Sequence, residues 1–589
     1  MTRIPLRPLA RILHARDTGE DPNAIEVENT RLRQEADREV LRCRSELRMR
    51  LLGLCAVAAF ATVGIRMWAI AAEPVTEPLS RASQTQVAAA RAEIVDRNGR
   101  VMATNLVTQS LYAHPQEMTD PERAATELAR LFPEQDLERL TRQFTGERKF
   151  VWVRQHVSPE QRQAVHDLGE PGLYFGPREM RLYPNGALAA HILGGTKFGT
   201  EDVHFAEIEG TAGVERAFDT WLLDPANAGA PLRLSIDMTV QAAMEEILEG
   251  GKMVMNAKGA AAVLMHAQTG EIRAMVSLPD FDPNDRPVAP TEGDPSDSPI
   301  FNRAVQGLYE LGSTFKIFTI AQALELGQIN PETVINTTSP LRWGRQSIDD
   351  FRDYGPTQSA TNVIVKSSNT GTARIAMEIG AERQRAFLTG LGMLSPSPVE
   401  LAEAPYINPL LPANWSELST MTISYGHGVS ISPIHLAAGY ASLLNGGRVV
   451  QPTLIAGQTR APGPRIVSEA VSAQAREMLR QVIDGNDYTS GTASMGAVEG
   501  YLIGGKTGTA DKPRHTGGYY EDKVISTFAS VFPTDRPEYI LIVMLDEPEI
   551  FAQGEQRRTA GWTAVPVSSE MTRRILPLLG LRPQTPITQ

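Results

Sequence analysis

The stretch Leu311 to Ile320 reads Leu-Gly-Ser-Thr-Phe-Lys-Ile-Phe-Thr-Ile, and its polar pair, Ser313 and Lys316, stands where an apolar helical run begins. Positions three apart share one helix face, so the spacing predicts a Ser313 hydroxyl and a Lys316 amine that point the same way, within hydrogen-bonding reach. Serine at its free pKa is a poor nucleophile. A lysine desolvated among Phe315, Phe318 and Ile320 has a lowered pKa and can take the serine's proton. Ser-x-x-Lys arises by chance about once or twice in a chain this long, so the pair needs partners elsewhere before it counts as a site.

The chain around it has 589 residues, 42% of them apolar, which gives room for roughly three or four domains with a sizeable core. The net charge of −12 is spread rather than blocked, and without a basic stripe it argues against nucleic acid as a partner. The only cysteines, Cys43 and Cys55, fall before or within the apolar run described next, so the long remainder has no disulfides. Compartment must therefore come from topology.

Residues 1–50 are polar and rich in arginine, with Arg31, Arg33, Arg38, Arg42, Arg44, Arg48 and Arg50 ahead of the apolar run Leu51 to Ala72. That run is long enough to cross a bilayer core, which takes about 20 residues at about 1.5 Å each. Only Arg81 and Arg91 follow over a comparable distance, so the positive-inside rule predicts a cytoplasmic N-terminus and an outer bulk. A cleaved signal peptide has a shorter polar region and a shorter apolar core, which favours an uncleaved single-pass anchor, although Ala69-Ile70-Ala71-Ala72 leaves cleavage open. Arg66, toward the outer end beside Trp68, reads as a snorkelling side chain, or else as a polar contact with another membrane protein. Residues 73–90 read as a stalk.

Structure resumes at Arg91. Two apolar stretches flank Asn98-Gly99, a strong hairpin signal. Helical patterns follow over Asp120 to Leu131 and Pro159 to Leu168, the second with Ser158 as N-cap and Pro159 as first helical residue. Residues 91–229 carry no catalytic constellation and read as a non-catalytic α+β module. A strand over Leu232 to Asp237 and a helix from Thr239 to Leu248 open a larger domain, 230–578, ahead of a tail, 579–589. Strands are expected over Ala260 to Leu264, Ile272 to Ser277, Ile525 to Val531 and Tyr539 to Leu545, with the Ser313 helix running to Leu326. Strands, a helical insert and strands again predict an α+β fold with an antiparallel sheet and helices around it.

Two further elements give the serine its partners. Lys366-Ser367-Ser368-Asn369 opens a second helical stretch, where Ser and Asn also serve as caps. Ile503-Gly504-Gly505-Lys506-Thr507-Gly508-Thr509-Ala510 reads as an extended edge whose glycines let a substrate backbone approach, or as a glycine-rich turn. Ser-x-x-Lys, Ser-x-Asn and Lys-Thr-Gly-Thr in this order are far more specific than any one alone, and are the signature of penicillin-recognising serine acyl transferases.

On these motifs the chain resembles a class B penicillin-binding protein, a membrane-anchored peptidoglycan D,D-transpeptidase. The resemblance is nearly end to end: it also covers Asp96-Arg97-Asn98-Gly99, Gly213-Val214-Glu215, Thr269-Gly270-Glu271, Pro279 to Asn284 and Tyr425-Gly426-His427-Gly428. Leu311 stands where a proline is usual. Ser424 to Gly428 and the loop Gly517-Gly518-Tyr519-Tyr520 resemble the septal, FtsI-like type more than the elongation type.

The resemblance implies a serine β-lactamase-like catalytic domain on a pedestal, in which Ser313 attacks the penultimate D-Ala carbonyl of a stem peptide and Lys316 is the base. It implies that Ser367 relays the proton to the leaving amine, and that Asn369 holds Lys316 and the substrate amide. Lys506, with the Thr507 and Thr509 hydroxyls beside Gly508, takes the terminal carboxylate, and the N–H groups of Ser313 and Thr509 form the oxyanion hole. β-Lactams would acylate Ser313 and stay, since no Glu-x-x-Leu-Asn pattern stands between the second and third motifs. Implied partners are the stem peptides, an FtsW-like SEDS glycosyltransferase and FtsQ, FtsL and FtsB-type divisome proteins, at the inner membrane with a periplasmic catalytic domain. No metal or cofactor is called for. The alternatives are an elongation-type transpeptidase, a D,D-carboxypeptidase or β-lactamase, a penicillin sensor, or a non-catalytic divisome scaffold.

Overall fold

The computed structural model describes residues 3–72, 91–202, 205–227, 229–458, 460–487, 489–514 and 517–583, with backbone alone over 40–52, 65–72, 200–202 and 205–207. The chain divides into two compact units, Met1–Val87 and Ala88–Gln589.

The first unit has helices α1 (Leu9–Thr18) and α2 (Pro22–Ala72). Helix α1 stops at Gly19, whose φ of +78° is open to glycine without penalty. The Asn29 amide donates to the Pro5 carbonyl at 3.1 Å and ties the leading segment to α2. The apolar run Leu51 to Ala72 forms the end of α2, and the apolar side chains of Leu54, Val57 and Phe60 are exposed there. Among the described residues no helix is long and apolar enough to cross a membrane. The stalk and the side chains of Arg66 and Trp68 lie outside the described residues.

The second unit opens with the hairpin that Asn98-Gly99 predicts: β1 (Ile94–Val95) pairs antiparallel with β2 (Val101–Ala113) around Gly99 at φ +85°. Asp96 accepts from the Asn98 and Arg100 N–H groups inside that turn. Strands β3 (Val151–Val157) and β4 (Leu173–Leu182) flank β2, and β5 (Gly195–Asp202) pairs with β6 (Phe205–Ala212). The helices Pro121–Leu131 and Pro159–His166 start at Asp120 and Ser158, the latter in a full capping box with Gln161. Behind the sheet Glu215 is fully buried between two buried arginines, 2.7 Å from Arg91 Nε and 2.7 Å from Arg181 Nε.

The expected strand at Leu232 to Asp237 is only two residues long, β7 (Leu232–Arg233), because Asp237 turns the chain by capping α3 (Met238–Val254). The central sheet is antiparallel, built from β8 (Gly259–His266), β9 (Ile272–Leu278), β10 (Gly504–Pro513), β11 (Tyr519–Phe532) and β12 (Tyr539–Asp546) in the order β10-β11-β12-β8-β9. Strand β12 is buried along its whole length, so it reads as a continuous apolar run instead of alternating. Helix α4 (Lys316–Glu325) is buried from Lys316 to Leu324, α5 (Asn369–Ile379) packs against it, and β10 is the free edge of the sheet.

Candidate active site

Gly312–Phe315 forms a single 3₁₀ turn that leads into α4. Gly312 sits at φ +57°, and a Cβ there would lie 2.9 Å from the Thr509 carbonyl oxygen. A Cβ on Gly508 would lie 2.2 Å from the Leu311 carbonyl, and one on Gly426 would lie 2.1 Å from the Gly312 carbonyl. The turn bearing Ser313 is thus clamped between the β10 edge and the Tyr425-Gly426-His427-Gly428 stretch. Only glycine permits either approach. Tyr440 fixes the turn from below, its hydroxyl donating to the Thr314 carbonyl at 2.8 Å.

Behind the turn the three sequence motifs meet at one hydroxyl. Ser367 Oγ lies 3.0 Å from Lys316 Nζ and 2.9 Å from Lys506 Nζ. Lys316 also donates to the Ser367 carbonyl at 2.6 Å, and Lys506 to the Thr507 carbonyl at 3.0 Å. Both amines are fully buried. Burial among the α4 side chains, and then the charge of Lys506, push the Lys316 pKa well below the ordinary lysine value, against a smaller opposing pull from Asp350. Burial alone lowers Lys506 to about 7. Two amines that share one hydroxyl in a dry cleft favour one neutral and one charged lysine at neutral pH.

The predicted Ser313–Lys316 hydrogen bond is not made. The 3₁₀ turn replaces the first turn of α-helix, and the Lys316 amine is taken by both oxygens of Ser367. Asn369 does not hold Lys316 either: its amide donates to the Asp349 carbonyl at 2.8 Å. Thr507 Oγ1 donates to Thr492 Oγ1 at 3.4 Å, and Thr509 Oγ1 accepts from the Ala560 N–H at 3.0 Å.

Two features were missed in the sequence. Ser367 has φ +64°, a left-handed serine that costs roughly 1–2 kcal/mol and turns both of its oxygens toward the lysines. What holds it is Asp350. One Asp350 oxygen accepts from the N–H groups of Asn369 and Thr370, the latter at 3.0 Å, and the other from the hydroxyls of Ser368 and Thr370, both at 2.8 Å. This carboxylate caps the α5 N-terminus, where helix charge favours it, and it comes from a loop with no local pattern to announce it. The second feature is Glu310, buried beside the turn. It accepts from the Gly428 N–H at 2.9 Å and from the Tyr519 hydroxyl at 3.1 Å, and lies 3.2 Å from His427 Nδ1. Tyr519 is the first residue of β11, so Glu310 ties the β10–β11 hairpin across the cleft.

Comparison with known proteins agrees with this geometry. Residues 260–565 match the penicillin binding protein transpeptidase domain, and residues 86–223 the penicillin-binding protein dimerisation domain. A probable peptidoglycan D,D-transpeptidase FtsI of Caulobacter vibrioides is 34% identical over 565 residues, covering 94% of this chain and 92% of that protein. A probable peptidoglycan D,D-transpeptidase PenA of Neisseria meningitidis is 32% identical, covering 85% of this chain and 86% of that protein. The crystal structure of penicillin binding protein 3 from Mycobacterium tuberculosis, complexed with aztreonam, shares the fold with a TM-score of 0.62 at 24% identity, over 85% of this chain and 99% of that one. With a dimerisation domain ahead of a transpeptidase domain and three motifs converging on one hydroxyl, the chain belongs to the class B penicillin-binding proteins.

Proposed function

We propose that this chain is a septal peptidoglycan D,D-transpeptidase that works through an acyl-enzyme on Ser313. The observation that carries the reading is Ser367 Oγ standing between Lys316 Nζ and Lys506 Nζ, a relay that joins residues of all three motifs beside the turn bearing Ser313. Neutral Lys316 takes the Ser313 proton as Oγ bonds to the penultimate D-Ala carbonyl carbon. The C–N bond to the terminal D-Ala then breaks, and the proton passes by way of Ser367 to the leaving amine. Charged Lys506 holds the terminal carboxylate beside the Thr507 and Thr509 hydroxyls. The N–H groups of Ser313 and Thr509 receive the oxyanion, an arrangement worth roughly 3–4 kcal/mol per donor in other enzymes. Asn369, the first residue of α5, would meet the substrate amide. An amine of a neighbouring stem resolves the acyl-enzyme, whereas a β-lactam leaves it blocked.

The septal assignment rests on Ser424 to Gly428, on the Tyr519-Tyr520 loop and on likeness to a protein named FtsI. The exposed apolar side chains of Leu54, Val57 and Phe60 support an anchor at 51–72 in the cytoplasmic membrane, with 1–50 inside, 73–90 as stalk, 91–229 as periplasmic pedestal and 230–578 as the catalytic domain. FtsW-like and FtsQ, FtsL and FtsB-type proteins are the partners proposed for anchor and pedestal. Depletion in cells should give filaments, and Ser313→Ala should fail to rescue them. Round cells on depletion would reassign the enzyme to elongation, and rescue by Ser313→Ala would make it a scaffold.

A further inference from the structure

Away from the three motifs, the second unit holds a cavity of about 340 Å³ where residues of the dimerisation-type part, among them His191 and Gly213, face residues of the catalytic part, among them Phe281, Arg286, Asn302 and Glu403. None of its lining residues belongs to the proton path at Ser313. Arg286 brings an unanswered charge to it. Its guanidinium lies 5.5 Å from the centre of the Phe281 ring, its Nε is buried without a hydrogen-bond partner, and no carboxylate among the described residues forms an ion pair with it. A buried donor left unpaired is costly, and more so on a charged group.

Across the cavity Glu403 is half-buried and accepts from the Asn302 amide at 3.1 Å. Desolvation raises its pKa, partly offset by Arg286, so the two groups sense each other without pairing. His191, the other basic group in the wall, is no second cation: its Nε2 lies 2.9 Å from the Pro299 carbonyl, and burial lowers its pKa to about 4. The wall carries the Arg286 guanidinium, the Glu403 carboxylate and, exposed at the rim, the Glu292 carboxylate, so charges of both signs are held apart in it, which suits a ligand that itself carries one charge of each sign. A dianion such as phosphate would meet Glu403, and a bare cation would meet Arg286.

We infer that this cavity binds a zwitterionic α-amino acid, its carboxylate taken side-on by Nε–H and a terminal N–H of Arg286 and its ammonium facing Glu403. Side-on carboxylate binding uses the Nε donor that is otherwise unsatisfied. The site also adjoins the segment that leads to the nucleophile. Asn302, which holds Glu403, donates its own N–H to the Gln306 side chain at 2.9 Å, and Gln306 lines the same cavity seven residues before Ser313. The proposed reaction releases D-alanine, which is why D-alanine is the probe below. The binding chemistry itself does not depend on that reaction.

The test is equilibrium dialysis of radiolabelled D-alanine against the full chain in detergent, after treatment with benzylpenicillin to occupy the cleft. One saturable site is expected, with D-alaninamide and N-acetyl-D-alanine, each lacking one charge, competing at least about tenfold less well. Arg286→Gln should weaken D-alanine at least about tenfold, and Arg286→Lys, which keeps the charge but loses the fork, should fall between. Glu403→Gln should weaken D-alanine and leave N-acetyl-D-alanine unchanged. Absence of saturable binding up to about 10 mM, a weak affinity on any scale, or equal binding by wild type and Arg286→Gln, would overturn the inference. Fluorescent-penicillin labelling of each variant reports folding and the Ser313 chemistry separately, so failure at either site is told apart from failure at the other.

Discussion

Replacing Lys506 by methionine should make the protein more stable while removing its ability to take a β-lactam. Lys506 is fully buried, and its pKa falls from 10.5 to about 7 through desolvation. A tenfold change in proton affinity is about 1.4 kcal/mol, so the buried amine costs at most roughly 5 kcal/mol of folding stability at neutral pH. Losing the hydrogen bonds to Ser367 and Thr507 reduces the net gain to roughly 2–3 kcal/mol. The sign follows from linkage. Between about pH 7 and 10.5 the unfolded chain holds a proton on this lysine that the folded chain does not, so wild-type stability rises with pH across that window. Below it both states are protonated and the full cost persists. Lys506→Met has no such slope.

Differential scanning of both proteins across this pH range should therefore show the variant melting roughly 2–3 °C higher at pH 7, since about 1 kcal/mol moves Tm by about 1 °C in a unit of this size. The gap should vanish at about pH 9, after about two pH units of that slope, and reverse above it. Parallel pH profiles for the two proteins, or a variant less stable at pH 7, would refute the claim that Lys506 is held in the cleft at the expense of stability. Such an exchange of stability for function is expected of a charged group kept dry for a substrate carboxylate.

Asp350→Ala should slow penicillin acylation by roughly 10–100-fold through loss of the Ser367 geometry, and because Asp350 raises the Lys316 pKa, the acid limb of the pH–rate profile should move to lower pH. A purely structural role would lower Tm and leave that limb in place. Gly508→Val, whose Cβ would press within 2.2 Å of the Leu311 carbonyl, should cut acylation by about 100-fold or more with near-normal circular dichroism. Glu215→Ala should destabilise by about 3–5 kcal/mol, because it strands Arg181 without a counter-charge in the interior and leaves Arg91 only its pairing with Asp219. Chemical unfolding followed by intrinsic fluorescence measures it.

What could be read before folding was local or patterned. The Asn98-Gly99 hairpin, the Asp120 and Ser158 caps, the apolar strands of the central sheet and the residues gathered at Ser367 are all signalled by near neighbours or by motif order. What could not be read depends on contacts between distant segments. Ser-x-x-Lys suggests a serine–lysine pair on one helix face, yet the start of α4 is a 3₁₀ turn and Lys316 finds Ser367, 51 residues away. Asp350 reaches Asn369 and Thr370 from a loop, and Glu310 joins Tyr519 across 209 residues. The separated charges of Arg286 and Glu403 exist only because two parts of the chain close around one cavity.

The central claim is that Ser313 is the nucleophile, and labelling by fluorescent penicillin tests it most directly. Wild-type chain should carry one covalent label per molecule, mapped by peptide mass spectrometry to Ser313, and Ser313→Ala should carry none. A Ser313→Ala chain that labels as well as wild type, or a label that maps to another serine, would contradict the account.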